Sequence, residues 1–341
     1  LCGGSGKTLV SVGLARALHN QGLRVSVFKK GPDFIDAAWL GAAARSNAHN
    51  LDTFLAPRES ILQSLCAHAG TDIAIVEGNR GLFDGFDANG THSTAELARL
   101  IQAPVVLVID ATKSTRTVAA LVLGCRALDP ALNLAGVILN RVGTTRQERL
   151  IREALSLVCD VPVLGAIPRL RQEPLPSRHL GLVLPAERED AERVVEELAT
   201  AITTHVDLMS LRRVAAEAPE LHEEQSLIQN RSLNQGQSQS QSPNQNLSLS
   251  QDQDRRQRPR IGVLRDAAFC FYYPENLAAL EAEGATLVPI SPLADRELPP
   301  IDALYAGGGY PEQFAHVLAQ NVEFRSALAE QVRRGLPIWA E

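Results

Sequence analysis

Lysine is nearly absent from this chain: of 33 basic residues only Lys7, Lys29, Lys30 and Lys113 are lysines, the rest being arginine. Each lysine therefore asks for a specific chemical reason. A basic surplus is also lacking. The formal charge of −6 supplies no cationic face for nucleic acid or an anionic membrane surface, so neither partner is expected. No apolar run approaches the ~18 residues a membrane span needs, and no basic-then-apolar leader opens the chain. The five cysteines (Cys2, Cys66, Cys125, Cys159, Cys270) include no CxxC pair, which argues against a disulfide framework or a zinc ribbon and fits a reducing cytoplasm. An initiating methionine is missing too. Leu1 leads at once into motif-like sequence, so the chain is expected to begin inside a larger gene product.

What is present suits a globular protein. A length of 341 residues allows two domains at roughly 150 each, and 45% hydrophobic residues are enough to build a core in both. Composition shifts over residues 225–258, where Gln, Ser and Asn fill 21 of 34 positions. Too little apolar surface remains there to offset the entropy of ordering, so a disordered linker is expected between a domain over 1–224 and one over 259–341.

Before that linker, nearly continuous apolar runs at 24–28, 72–77, 104–110, 134–140 and 162–167 read as strands buried on both faces. Helical stretches are expected at 7–21, 94–101, 115–129, 145–159 and 187–205. This βα alternation predicts a parallel sheet covered by helices on both faces. The same grammar returns after the linker: strands at 260–264, 286–289, 302–305 and 337–339, with helices near 274–284 and 322–335. The fold class is therefore α/β throughout.

Gly3-Gly4-Ser5-Gly6-Lys7-Thr8, followed by an apolar helical run, is the strongest local signal. Glycines let backbone N–H groups surround phosphate oxygens, and the helix N-terminus adds its dipole. The lysine bridges β- and γ-phosphates, and the threonine hydroxyl can ligate Mg²⁺. This predicts an ATP site with Mg²⁺ as its companion, although the first glycine of the full pattern falls at Leu1. In parallel sheets ligands sit beyond the carboxyl ends of the strands. There the sequence places Lys29-Lys30-Gly31-Pro32-Asp33-Phe34-Ile35-Asp36 and Glu77-Gly78-Asn79-Arg80-Gly81-Leu82-Phe83-Asp84. Thr8, Asp33 and Glu77 are expected to hold the metal by oxygen ligation, and Lys29 to offset charge on a transferring phosphoryl group. Asp33 and Asp36 also read as a Pro-Asp turn with an N-cap.

KKGPDFID, NLDTFL, EGNRGLFDG, GVILNRVG and VPVLGAIPR resemble motifs of the cobyrinic acid a,c-diamide synthases of cobalamin biosynthesis, as do RIGVLRDAAFCFYYPENL, ALYAGGGYPEQFA and GLPIWAE. The resemblance runs in order through nearly everything outside 225–258. It implies a dethiobiotin-synthetase-like, phosphate-loop synthetase domain joined to a class I glutamine amidotransferase domain. In such enzymes ATP activates a substrate carboxylate as an acyl phosphate, and ammonia displaces the phosphate. The implied partners are cobyrinic acid and L-glutamine or ammonia. Carried over to this chain, Gly3, Gly4, Ser5, Gly6, Lys7 and Thr8 match the phosphate loop. Lys29, Asp33, Asp36, Glu77 and Asp84 match catalytic, metal and substrate positions. Asn140 and Arg141 match a strand end that approaches the adenine. Lys30 stands where the family more usually has an apolar residue.

The resemblance also implies that Gly308 and Gly309, in Gly307-Gly308-Gly309-Tyr310-Pro311, belong to an oxyanion-hole loop. The family's nucleophilic cysteine follows the Ala-Glu matched by Ala340-Glu341, so the amidotransferase domain is expected to be truncated and without glutaminase activity in this chain. Cys270, lacking the flanking glycines of a nucleophile elbow, reads as packing. Two alternatives stay open: the same amidation on hydrogenobyrinic acid or nickel sirohydrochlorin, and a nucleotide-switch ATPase. Oligomeric state is open as well, a homodimer included.

Overall fold

The computed structural model describes residues 3–70, 72–170, 175, 177–178, 181–219 and 258–341. They fall into two compact units, one before and one after the predicted linker. That linker, apart from Arg258, lies outside the described residues.

In the first unit, α1 (Lys7–Asn20) leaves the glycine loop and leads into β1 (Val25–Lys30), the centre of a parallel sheet. α2 (Phe34–Ala44), β2 (Ala48–Leu51), α3 (Arg58–His68) and β3 (Ile73–Glu77) follow, with strand order β2-β1-β3. After α4 (Thr94–Leu100), a second parallel sheet runs through β4 (Val105–Asp110), β5 (Leu134–Val142) and β6 (Val163–Pro168). α5 (Arg116–Leu128) and α6 (Thr145–Val158) connect its strands. A hairpin of β7 (Ser177–Arg178) and β8 (Gly181–Leu182) precedes α7 (Ala191–His205) and α8 (Leu208–Ala216).

The strands predicted from continuous apolar runs are all present and parallel, but not as one sheet. β3 and β4 do not pair; both line an apolar cavity of about 1130 Å³ shared with Leu14, Leu18 and Leu211. The core continues across the two sheets: Val27 and Trp39 from one side meet Ile138, Ile167, Leu198 and Ile202 from the other. α1, α2 and α7 are tied together by Arg16, whose side chain is fully buried. Its Nε and Nη2 donate to the carbonyls of Ala43 (2.9 Å) and Ala42 (2.8 Å), closing the end of α2, and Nη1 reaches Glu192 and Glu196. A charge at this depth is tolerated because every face of it is matched.

The second unit holds a parallel sheet in the order β11-β9-β12-β14. Its strands are β9 (Arg260–Leu264), β11 (Thr286–Ile290), β12 (Ala303–Ala306) and β14 (Ile338–Ala340). The helices are α9 (Pro274–Ala282), α10 (Ala315–Gln320) and α11 (Val322–Arg333). A feature absent from the sequence reading is a small antiparallel ribbon of β10 (Phe269–Phe271) with β13 (Gly308–Gly309). Gly309 is required there, since a Cβ would lie 2.2 Å from the Ala268 carbonyl oxygen. Cys270 sits in β10 and forms no disulfide among the described residues, and exposed His316 lies on α10.

Candidate active site

The phosphate loop turns through Gly4 and Gly6, both in the left-handed region (φ 75° and 88°) where L side chains are strained. Two side chains at the end of β5 hold it. Asn140 Nδ2 donates to the Ser5 carbonyl at 3.0 Å, and Arg141 Nη1 donates to the Gly4 carbonyl at 2.8 Å and to Asp110 Oδ2 at 2.7 Å. Asp110 and Asn140 stand opposite each other in register on β4 and β5, which places all three side chains at one point. A trans peptide sets its N–H opposite its C=O. Tethering the carbonyls of Gly4 and Ser5 therefore turns the N–H groups of Ser5 and Gly6 away from these side chains. The buried Ser5 hydroxyl oxygen has no hydrogen-bond partner among the described residues.

In the first turn of α1, Thr8 meets the ends of β1 and β3. Its hydroxyl donates to Glu77 Oε1 at 2.7 Å and lies 3.2 Å from Asp36 Oδ2. Lys29, 2% exposed, joins the same two carboxylates, with Nζ at 2.6 Å from Asp36 and 2.8 Å from Glu77; Asp33 Oδ2 is 3.9 Å away. Burial opposes the lysine charge, but Glu77 and Asp36 outweigh it and hold the ammonium above its ordinary pKa. Burial also raises the Glu77 carboxyl, against the pull of Lys29, and raises Asp33, with Asp36 adding to the effect. Glu77 Oε2 is buried without a hydrogen-bond partner among the described residues. The Thr8 hydroxyl and the carboxylates of Asp36 and Glu77, the latter with one oxygen still unengaged, offer oxygen donors that fit a hard divalent cation such as Mg²⁺.

The structure thus brings together Thr8, Lys29, Asp36 and Glu77. Asp33 takes a different part: its Oδ1 accepts the amides of Ile35 (3.0 Å) and Asp36 (2.9 Å) as the N-cap of α2, leaving Oδ2 toward Lys29. Asp84 is exposed and accepts the Gly81 amide at 2.9 Å, with no recorded contact to the cluster. In the second unit, Gly308 and Gly309 pair with β10, and the Gly307 amide donates to the Tyr272 hydroxyl at 2.8 Å. Burial pushes that phenol up to about 12. The Glu341 amide donates to the Ala306 carbonyl, so the end of β14 lies beside the glycine loop. Asp110 escaped the sequence reading; its signal is an acid ending a buried strand.

Residues 2–182 match the CobQ/CobB/MinD/ParA nucleotide binding domain, and residues 260–341 match the CobB/CobQ-like glutamine amidotransferase domain. With the phosphate loop and parallel α/β architecture, these matches define a ligase of the glutamine amidotransferase type with a nucleotide-binding domain. The cobyrinate a,c-diamide synthase of Magnetococcus marinus is 42% identical, covering 99% of this chain and 69% of that protein. Those of Syntrophotalea carbinolica and Archaeoglobus fulgidus are 41% and 38% identical, over 99% and 98% of this chain and 69% of each relative. The chain belongs to the cobyrinate a,c-diamide synthase family. Among the described residues no helix is long and apolar enough to cross a membrane.

Proposed function

We propose that the first unit activates carboxylates of cobyrinic acid with ATP and that ammonia, drawn from glutamine, converts them to the a and c amides. The observation that carries this reading is the buried Thr8–Lys29–Asp36–Glu77 cluster beside the phosphate loop.

The Ser5 and Gly6 amides, turned inward by the hold of Arg141 and Asn140 on the loop carbonyls, receive phosphate oxygens, and Lys7 meets the β- and γ-phosphates. Thr8, Glu77 and Asp36 hold Mg²⁺, with Asp33 Oδ2 next to them. The ion, when bound, spreads the charge that develops on the phosphoryl oxygens. Lys29 is fixed by two carboxylates and stays protonated, so it neutralises charge without serving as a base. The substrate carboxylate oxygen attacks the γ-phosphorus, and ADP leaves. Ammonia then attacks the acyl carbon and phosphate leaves, one proton being lost as the amide forms. Asp84 is assigned to the substrate side of the site, and Gly308 and Gly309 to the oxyanion loop of the amidotransferase half.

The test supplies nitrogen as free ammonia, so that the result does not depend on the glutaminase half. The chain is incubated with ATP, Mg²⁺, ammonium and, in separate arms, cobyrinic acid, hydrogenobyrinic acid or nickel sirohydrochlorin, and products are read by mass spectrometry. A diamide of cobyrinic acid is expected. Folded, ATP-binding protein that amidates none of the three would overturn the reading, and exclusive use of another macrocycle would reassign the substrate.

A further inference from the structure

The geometry points to a corrinoid platform on the loops after β2 and β3: Phe54 and Phe86 take the apolar face of the macrocycle, while Lys30 and Arg80 take carboxylates that do not react. This inference rests on the amidation reading above and adds where the substrate lies.

Phe54 and Phe86 are 61% and 76% exposed, and the neighbouring Leu55 is 60% exposed. Their placement is not that of loose surface residues. The two rings stack with centroids 5.7 Å apart at 27°, and His92 meets Phe54 edge-on at 5.5 Å. The backbone beneath them is fastened at many points. Asp52 Oδ1 accepts the Phe54 amide at 2.8 Å, and the Phe86 amide donates to the Thr91 carbonyl at 2.7 Å. Asp87 Oδ1 gathers the amides of Asn89 and Thr91 and the Thr91 hydroxyl. His92 donates its amide to Glu96 Oε2 at 2.6 Å, and its Nδ1 lies 3.1 Å from the Thr53 hydroxyl. An aromatic pair held in place by its backbone and left open to water is preorganised for a flat apolar partner.

Charge supplies the second observation. Lys30 directly follows Lys29 of the catalytic cluster and is half-buried, yet among the described residues no hydrogen bond or ion pair engages its ammonium. Arg80, three residues beyond Glu77, is exposed, likewise makes no ion pair among them, and sits at φ 48°, in the left-handed region that non-glycine residues adopt uncommonly. Burial lowers the pKa of Lys30, with Asp52 opposing and Arg80 adding to the shift, so these groups share one electrostatic neighbourhood that also includes Glu96. A partly desolvated ammonium without a hydrogen-bonded counter-ion is a standing cost that an incoming carboxylate removes. A macrocycle with apolar faces and carboxylates on its rim satisfies both demands together.

Equilibrium dialysis of the 341-residue chain against cobyrinic acid without ATP, with the corrin followed by its own absorbance, tests the platform without requiring chemistry. Phe54→Ala and Phe86→Ala are each expected to weaken corrin binding about tenfold, equivalent to about 1.4 kcal/mol. Phe86→Tyr, which keeps the ring, should bind like the wild type, and Lys30→Gln should weaken binding and flatten its dependence on salt. ATP affinity of the Phe variants should be unchanged. Wild-type corrin affinity in the Phe54→Ala/Phe86→Ala double variant would refute the platform and leave the amidation reading standing. A wild-type chain that binds ATP but no corrin would refute both.

Discussion

Replacing Lys29 by methionine removes what is, among the described residues, the only cation in contact with Asp36 and Glu77, while nearly preserving side-chain volume. Two carboxylates are then left facing each other beside the Thr8 hydroxyl, one of them almost wholly buried. At 4 Å and an effective dielectric near 20, each lost attraction is worth about 4 kcal/mol before reorganisation. Measured losses on breaking a buried pair from one side are about 3–5 kcal/mol, because the surviving charge is stranded. That is a large part of a total stability of about 5–15 kcal/mol. The assay is urea unfolding followed by tryptophan emission. Trp39 is fully buried in the first unit and Trp339 is already 68% exposed, so the signal reports chiefly on the unit that carries the mutation.

The pH dependence provides an internal check. Glu77 is already raised by burial, and losing Lys29 raises it further. A group whose folded pKa lies above its unfolded value favours the native state below the unfolded pKa and withdraws that support as pH rises through the folded one. The defect of Lys29→Met should therefore be smallest near pH 4 and grow toward neutrality. Lys29→Met/Glu77→Gln should recover about 2 kcal/mol of the loss, since the stranded charge is gone. A loss under about 1 kcal/mol at pH 7, or a double variant with additive losses, would refute the account of Lys29 as a buried counter-ion.

Three further outcomes follow from the same geometry. Gly6→Ala would put a Cβ 2.1 Å from Asn140 Nδ2 at φ 88°, so ATP binding by calorimetry should be lost and stability should fall by about 1–3 kcal/mol; wild-type affinity would contradict the assigned loop geometry. Arg141→Ala frees the Gly4 carbonyl and unpairs Asp110, and should weaken ATP binding about tenfold, with Asp110→Asn milder; equal affinities in all three proteins would remove the clasp from the account. Arg16→Met leaves the carbonyls of Ala42 and Ala43 without their donor, an expected loss of about 2–5 kcal/mol in urea. Arg16 and Arg45 hold Glu192 down at about 2, so its contribution is present above the ordinary Glu value near 4.5 and vanishes as pH falls through about 2. Stability of the Arg16 variant should consequently decline less between those pH values than that of the wild type, and parallel curves would show that the pair carries no linkage.

The long parallel strands were legible because strands covered on both faces are written as unbroken apolar runs, whereas the four-residue β2 and the two- and three-residue strands β7, β8, β10 and β13 carry no such run; α1 was legible because three glycines and Lys-Thr announce its start. α2 was hidden by its own beginning: Gly31-Pro32-Asp33 reads as a turn, and the Ala-rich stretch from Phe34 to Ala44 was overlooked behind it. That omission bears on the choice between the two acids. Once a helix begins at Phe34, Asp33 becomes its N-cap and spends one oxygen on the first amides, whereas Asp36, one turn further in, is free to reach back to Lys29 and Thr8. Spacing alone treats the two aspartates alike; only the dihedral state of the chain between them separates a cap from a ligand. Asp110 poses the converse problem. Its strand was plain, but its meeting with Arg141 depends on β4 lying next to β5 in the register that sets Asp110 opposite Asn140, a relation between distant segments that no local pattern encodes. The chemistry-bearing residue types could thus be read from the chain at the strand ends where parallel sheets gather their ligands, while which oxygen of which acid faces the reaction was decided by helix capping and strand register.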